Sequence, residues 1–407
     1  MRFLLIPAVV SFLVACSGSP SAVLPPVELQ PLKNQLDISR QWIFTAGEGV
    51  SDFYLKLKPV IHKNKGYVID HKGHMFAFNV KTGEVVWDLK LNTPVSGGLA
   101  LFNDILFFGN SKGELIAFDI KSKKEIWRTQ LSSEILSTPV VEQGIIVVKT
   151  IDGHIYGLNV TSGIQNWLYQ SIVPRLTLRG NSSAIISNGI VINASDNGKL
   201  TALTLTTGKV LWETTIAVAQ GRNELERVID LDVDPVVVDD IIYTAGYQGR
   251  LAAVKISSGE MIWNRDFSSY SGLYVDAYRV YITDAMGQIW ALNRYNGSTL
   301  WRQDKLLRRK LTAPQAQQSY LVVADYDGYL HWLNREDGKI IARKRLNSSD
   351  IVIEDVGDTG EIDKELELAY SKWNNVLVRP IVIDKLILSL DRVGHLEAFQ
   401  LETENKL

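Results

Sequence analysis

The chain has 407 residues, with 43 basic and 45 acidic side chains and a net charge of −2 at neutral pH. That balance offers no broad basic field for nucleic acid. A single cysteine in the whole sequence excludes an intramolecular disulfide framework.

Arg2 precedes the apolar run Phe3 to Ala15, which is too short to span a bilayer as a helix and reads as a signal peptide over residues 1–15. The run ends Leu13-Val14-Ala15-Cys16, which resembles the bacterial lipobox, and that resemblance implies lipidation at Cys16. By the same sorting pattern, Ser17 in place of aspartate implies the outer membrane. Residues 16–36 carry Pro20, Pro25, Pro26 and Pro31, a composition expected to stay extended and to act as a tether.

From residue 37 to 407 we expect one all-β domain. Its unit is legible in Ile151 to Trp167, where Asp152-Gly153 marks a hairpin turn, a short alternating run follows, and Thr161-Ser162-Gly163 marks a second turn before the tryptophan. Aligned on the turn glycine, the unit recurs at Gly73, Gly113, Gly153, Gly198, Gly249, Gly287, Gly328 and Gly394. In the first six copies a tryptophan follows the glycine at one constant spacing, at Trp87, Trp127, Trp167, Trp212, Trp263 and Trp301; the seventh has Ala342 there, and the eighth would run past the C-terminus. Trp42, ahead of the first copy, can supply that missing strand. Pro59, Pro139, Pro235, Pro314 and Pro380 each precede the turn glycine by that same spacing, where an innermost strand would begin.

Repeats of this length with four strand-like segments predict an eight-bladed β-propeller of four-stranded antiparallel blades, its ring closed by the strand around Trp42 pairing with the C-terminal blade. A solenoid would not divide one repeat between the chain ends. The tryptophans are then wedges between blades rather than a sugar-binding stripe. Two insertions interrupt the array, at 217–231 and at 347–372. The second is rich in Asp and Glu, and its spacing matches no calcium loop, so it reads as a solvated loop.

The form of the repeat, "DNGKLTALTLTTGKVLW" across Asp196 to Trp212, resembles the tryptophan-docking repeat of pyrroloquinoline-quinone (PQQ) enzymes. That likeness raises a periplasmic PQQ-dependent dehydrogenase as the alternative function. Those enzymes hold quinone and calcium over the ring axis, and many use an adjacent cysteine pair, which this chain lacks. His62, His71, His74, His154, His331 and His395 do not cluster at metal-ligand spacing. No metal, cofactor or catalytic residue is expected.

The lipobox, tether, repeat array and closure together resemble, over almost the entire chain, the BamB family of propeller lipoproteins in the outer-membrane β-barrel assembly (BAM) machinery. The resemblance implies a non-catalytic scaffold facing the periplasm that docks to the POTRA domains of BamA, works beside other BAM subunits and contacts nascent outer-membrane proteins. "RLTLRG" (Arg175 to Gly180) is similar to the family's docking loop and places Leu176, Leu178 and Arg179 on BamA-binding positions. "ERVIDLDVDP" (Glu226 to Pro235) places Asp230 and Asp232 on the matching acidic positions. Read from the residues alone, Leu176 and Leu178 fit apolar anchors framed by arginine or a pair packed beneath the next blade. The acidic pair fits a turn cap, or a charge-assisted contact that orients Arg179 if the two loops meet at one rim.

Overall fold

The computed structural model describes residues 24–174, 182–218, 229–346, 376 and 378–402. Among them are eight four-stranded antiparallel sheets and no helix. Each sheet is a meander, and the eight form the predicted ring.

The local turns follow from side-chain chemistry. At the hairpin between second and third strands, a short acceptor side chain takes two backbone N–H groups: Asp70 from Lys72 and His74, Asn110 from Lys112 and Glu114, Asp391 from Val393 and His395. The glycine that follows is left-handed, as at Gly153 (φ 83°). Blade five departs from the sequence alignment. There the left-handed residue is Gln248, and Gly249 begins the third strand, Gly249–Lys255. The five spaced prolines each immediately precede a first strand, as Pro139 does for Val140–Glu142, and these strands are only three residues long.

The core is a ring of layers between adjacent blades. Tyr67, Ile69 and Met75 of blade one, for example, pack with Leu106, Phe108 and Phe118 of blade two. Within each blade the repeat tryptophan of the outer strand stands opposite a small residue on the third strand: Ala77 faces Trp87, Gly157 faces Trp167 and Ala253 faces Trp263. The ring then reaches across to the next blade. Trp167 lies on Gly208, whose φ of 66° turns its missing side chain toward the indole, and donates its Nε1–H to the Leu205 carbonyl at 2.7 Å.

The same seat recurs around the ring: Trp42 on Gly83, Trp127 on Gly163, Trp212 on Gly259, Trp263 on Gly297 and Trp301 on Gly338. Each indole N–H reaches a carbonyl three residues before the glycine. Trp87 is different. Its seat in blade two is Lys123, a left-handed lysine (φ 56°) whose Nζ lies 5.3 Å from the ring centroid.

The eighth blade has the order expected, with Ile38–Thr45 as its outer strand beside His395–Leu401, in register Ile38 to Leu401, Trp42 to Ala398 and Thr45 to His395. This closure explains the missing tryptophan at position 342. A tryptophan there would need a glycine turn between third and outer strands of blade eight, and no such turn exists when the outer strand comes from the N-terminus. In blade seven the pair is inverted: Trp332 on the third strand faces Ala342, is fully buried, and donates to Gln317 at 2.9 Å.

Residues 24–36 lie along blade seven. Val27 N–H bonds the Leu307 carbonyl, Asn34 exchanges two hydrogen bonds with the Arg343 backbone, Gln35 N–H bonds Ile341, and Leu29 and Leu32 pack on the layer between blades six and seven.

Candidate functional site

In an antiparallel meander, the blade-to-blade connections and the turns between second and third strands emerge at the same end of every sheet. That end gathers the features singled out from the sequence. Pro174 and Ser182 bracket the 175–181 loop, and Asp230 and Asp232 lie in the connection from blade four to blade five. Leu176, Leu178 and Arg179 themselves, like Cys16, lie outside the described residues.

The ends of the two connections meet. Ser183, just after the first loop, donates its backbone N–H to Asp234 Oδ1 at 2.6 Å. Ser182 donates to the Ala194 carbonyl, and its hydroxyl oxygen accepts from Lys149. Lys149 is buried and also reaches Asp196 at 3.3 Å and the Ala194 carbonyl at 3.1 Å. The Asp230 backbone pairs with Tyr247, which fixes the connection against blade five.

Asp230 is only 1% exposed, and neither carboxylate oxygen finds a hydrogen-bond donor among the described residues. Burial pushes its carboxyl up to about 8, with the like charges of Asp232 and Asp196 adding to the rise and Lys149 opposing it. Asp232 is buried too, and its carbonyl accepts from Lys56 at 3.4 Å. Both members of the acidic pair are thus buried at this end of the ring. Residue types alone could not reveal this, because burial comes from the connection folding back on Tyr247.

The sequence reading also missed a buried ionic cluster in blade seven. Asp325 is fully buried and accepts from Arg309 Nε at 2.7 Å, His331 Nε2 at 2.9 Å and two backbone N–H groups. Burial opposes ionisation of Asp325, but the His331 hydrogen bond, with the charges of His331 and Arg309, holds its carboxyl below the usual range. Arg309 also pairs with Asp327 and donates to the Val27 carbonyl, tying this cluster to the N-terminal segment. The only sequence signal was Asp325 at a turn position, where it also caps Tyr329. Among the described residues no group of three or more His, Cys, Asp or Glu is placed to hold a metal ion.

Residues 71–303 match the family model described as outer membrane protein assembly factor BamB. Proteins of that name are similar along most of their length. The one from Pseudomonas aeruginosa is 36% identical over 338 residues, 83% of this chain and 89% of its own. That from Kangiella koreensis is 35% identical over 375 residues, 92% and 95%. The crystal structure of BamB from Moraxella catarrhalis superimposes with a TM-score of 0.76 at 23% identity, over 90% of this chain and all of that one. A quinohemoprotein alcohol dehydrogenase from Pseudomonas putida HK5 reaches 0.67 at 10% identity, over 92% and 78%, a likeness of fold alone.

Proposed function

The chain belongs to the BamB family of outer membrane protein assembly factors, and from that membership we propose that it is a non-catalytic scaffold of the outer-membrane β-barrel assembly machinery. It docks on the periplasmic POTRA domains of BamA, beside other subunits of the complex, and assists folding and insertion of nascent outer-membrane proteins. Residues 1–15 direct export, lipids on Cys16 hold the chain at the outer membrane facing the periplasm, 16–36 lead to the ring, and 37–407 form the propeller domain.

The observation that carries the docking assignment is the junction of the two connections, Ser183 N–H on Asp234. It supports a single rim in which the 175–181 loop presents Leu176, Leu178 and Arg179 while Asp230 and Asp232 sustain the loop from below. Strand addition at an exposed blade edge is a mode open to extended substrates.

The test is capture of purified BamA POTRA domains by wild type and Arg179→Glu, with circular dichroism to verify the fold. Charge reversal should abolish capture; undiminished binding by a folded variant refutes the site. In cells, Cys16→Ala should move the protein out of the membrane fraction, and its retention there would refute the lipid anchor. Dye reduction on adding PQQ, calcium and an alcohol would refute the non-catalytic assignment.

A further inference from the structure

The ring axis opens, at the same end, into a cavity of about 240 Å³ lined by Tyr54, Lys56, Tyr270, Lys310 and Val376. These residues come from four different blade-to-blade connections, so the cavity exists only in the closed ring. Its charge is uneven. Lys56 and Lys310 line it, and Lys58 stands close enough to both Lys56 and Arg379 to feel the charge of each.

Among the described residues none of the four cations has a salt bridge to a carboxylate. Among those residues, the one hydrogen bond from their ends goes from Lys56 to the Asp232 backbone carbonyl. Burial, opposed by Asp234 but reinforced by Arg379 and Lys56, holds the Lys58 ammonium below its ordinary range. The carboxylates facing the group among the described residues are Asp234, which is bonded to the Ser183 N–H, Asp232, which acts on Tyr54, and Asp284, which acts on Tyr270. Among the described residues, four cations against three carboxylates leave an excess of positive charge in a protein whose net charge is −2. Like charges crowded at a partly desolvated mouth repel one another unless an anion joins them.

We propose that this axial cavity is a binding site for acidic polypeptide side chains, with a carboxylate held between Lys56 and Lys310 and the apolar part of its segment against Tyr54 and Tyr270. The cavity is smaller than the range of about 300–1,000 Å³ usual for cofactors and drug-sized ligands, and suits one or two side chains. Lysines supply point charges, whereas the planar fork that favours bidentate phosphate binding belongs to arginine, and among the described residues no arginine lines the cavity. Paired tyrosines give flat apolar walls at small entropic cost, with hydroxyls free to donate. The assignment rests on the charges and walls of the cavity itself, although Lys56 touches the docking rim through the Asp232 carbonyl.

The test measures fluorescence anisotropy of labelled hexaglutamate with the full mature chain, alongside labelled hexaglutamine. Hexaglutamate should bind and hexaglutamine should not. The Lys56→Gln/Lys310→Gln double variant should weaken binding at least tenfold, while Lys81→Gln/Lys209→Gln, on turns at the opposite end of the ring, should leave it unchanged. Lys310 is exposed and Lys56 half-buried, so the fold should persist. Tyr54→Leu, which keeps the charge, should weaken binding several-fold. Binding that survives the double variant, absence of binding by the wild type, or displacement of the peptide by an equal concentration of inorganic phosphate would each overturn the proposal, the last by assigning the cavity to free phosphate. Lys310→Gln alone, which leaves the Lys56 contact with Asp232 in place, should weaken hexaglutamate binding and leave POTRA capture unchanged, so failure here is separable from failure of the docking rim.

Discussion

Replacing Gly208 by alanine puts a methyl group where the Trp167 ring already lies. The added Cβ would stand 2.5 Å from Trp167 Cε3 and 2.6 Å from Cδ2, about 1 Å inside an ordinary carbon contact. Two costs follow. A non-glycine residue in the left-handed region costs roughly 1–2 kcal/mol. Retreat of the indole adds about 1–3 kcal/mol of overpacking and weakens the hydrogen bond to Leu205, itself worth about 1 kcal/mol. We expect a loss of about 2–5 kcal/mol for Gly208→Ala, read as a lowered urea midpoint by far-ultraviolet circular dichroism. Lys123→Gly is the matching control, because the same seat in blade two holds a left-handed lysine. Relief of about 1–2 kcal/mol of strain is offset there by loss of a cation–π contact worth about 0.5–1 kcal/mol and by the flexibility of glycine in the unfolded chain, so that variant should lie within about 1 kcal/mol of wild type. A Gly208→Ala protein within about 0.5 kcal/mol of wild type, the range of neutral surface changes, would refute the interblade seat as a source of stability.

Two further predictions concern buried charge. Asp325→Asn should cost about 3 kcal/mol in unfolding free energy, toward the low end for a broken buried pair because Asp327 still faces Arg309; an unchanged midpoint would show that the cluster contributes nothing net. Asp230 has a folded-state pKa raised to about 8 from 3.8, so its contribution to stability is fully present below about pH 4 and is lost as pH rises toward 8. Asp230→Asn should therefore gain relative to wild type as pH is raised from 5 to 8.5, and a pH-independent difference between the two would refute that ionisation.

The repeat period carried the fold in the sequence because six blades set a tryptophan at one spacing after the hairpin position, and in most of them a glycine four residues ahead of that tryptophan receives the previous blade's indole. The closure at Trp42 followed from the same count. What stayed hidden depended on partners rather than periods. The inverted pair Trp332 and Ala342 keeps the indole but changes its strand, which an alignment on one column reads as a loss. Lys123 fills a glycine seat through a left-handed backbone, and sequence alone does not report φ. Asp230 and Asp232 stood at legible positions, yet their burial depends on a connection that folds back over blade five. Leu29 and Leu32 were submerged in a proline-rich composition, although two leucines suffice to fix the segment once a layer between blades offers them a place.

That N-terminal segment sits at the seam of the ring. Between the outer strand of blade seven, ending at Arg345, and the first strand of blade eight, beginning at Ile381, the chain makes its longest detour among the blades, and a long connection alone brings its ends together only weakly. Residues 24–36 run along blade seven and continue directly into the outer strand of blade eight, so they splint the two blades from outside. The seam is thus crossed twice, once by that connection and once by the N-terminal segment. A pull on the N-terminus meets blade seven before it reaches the strand that completes the circle.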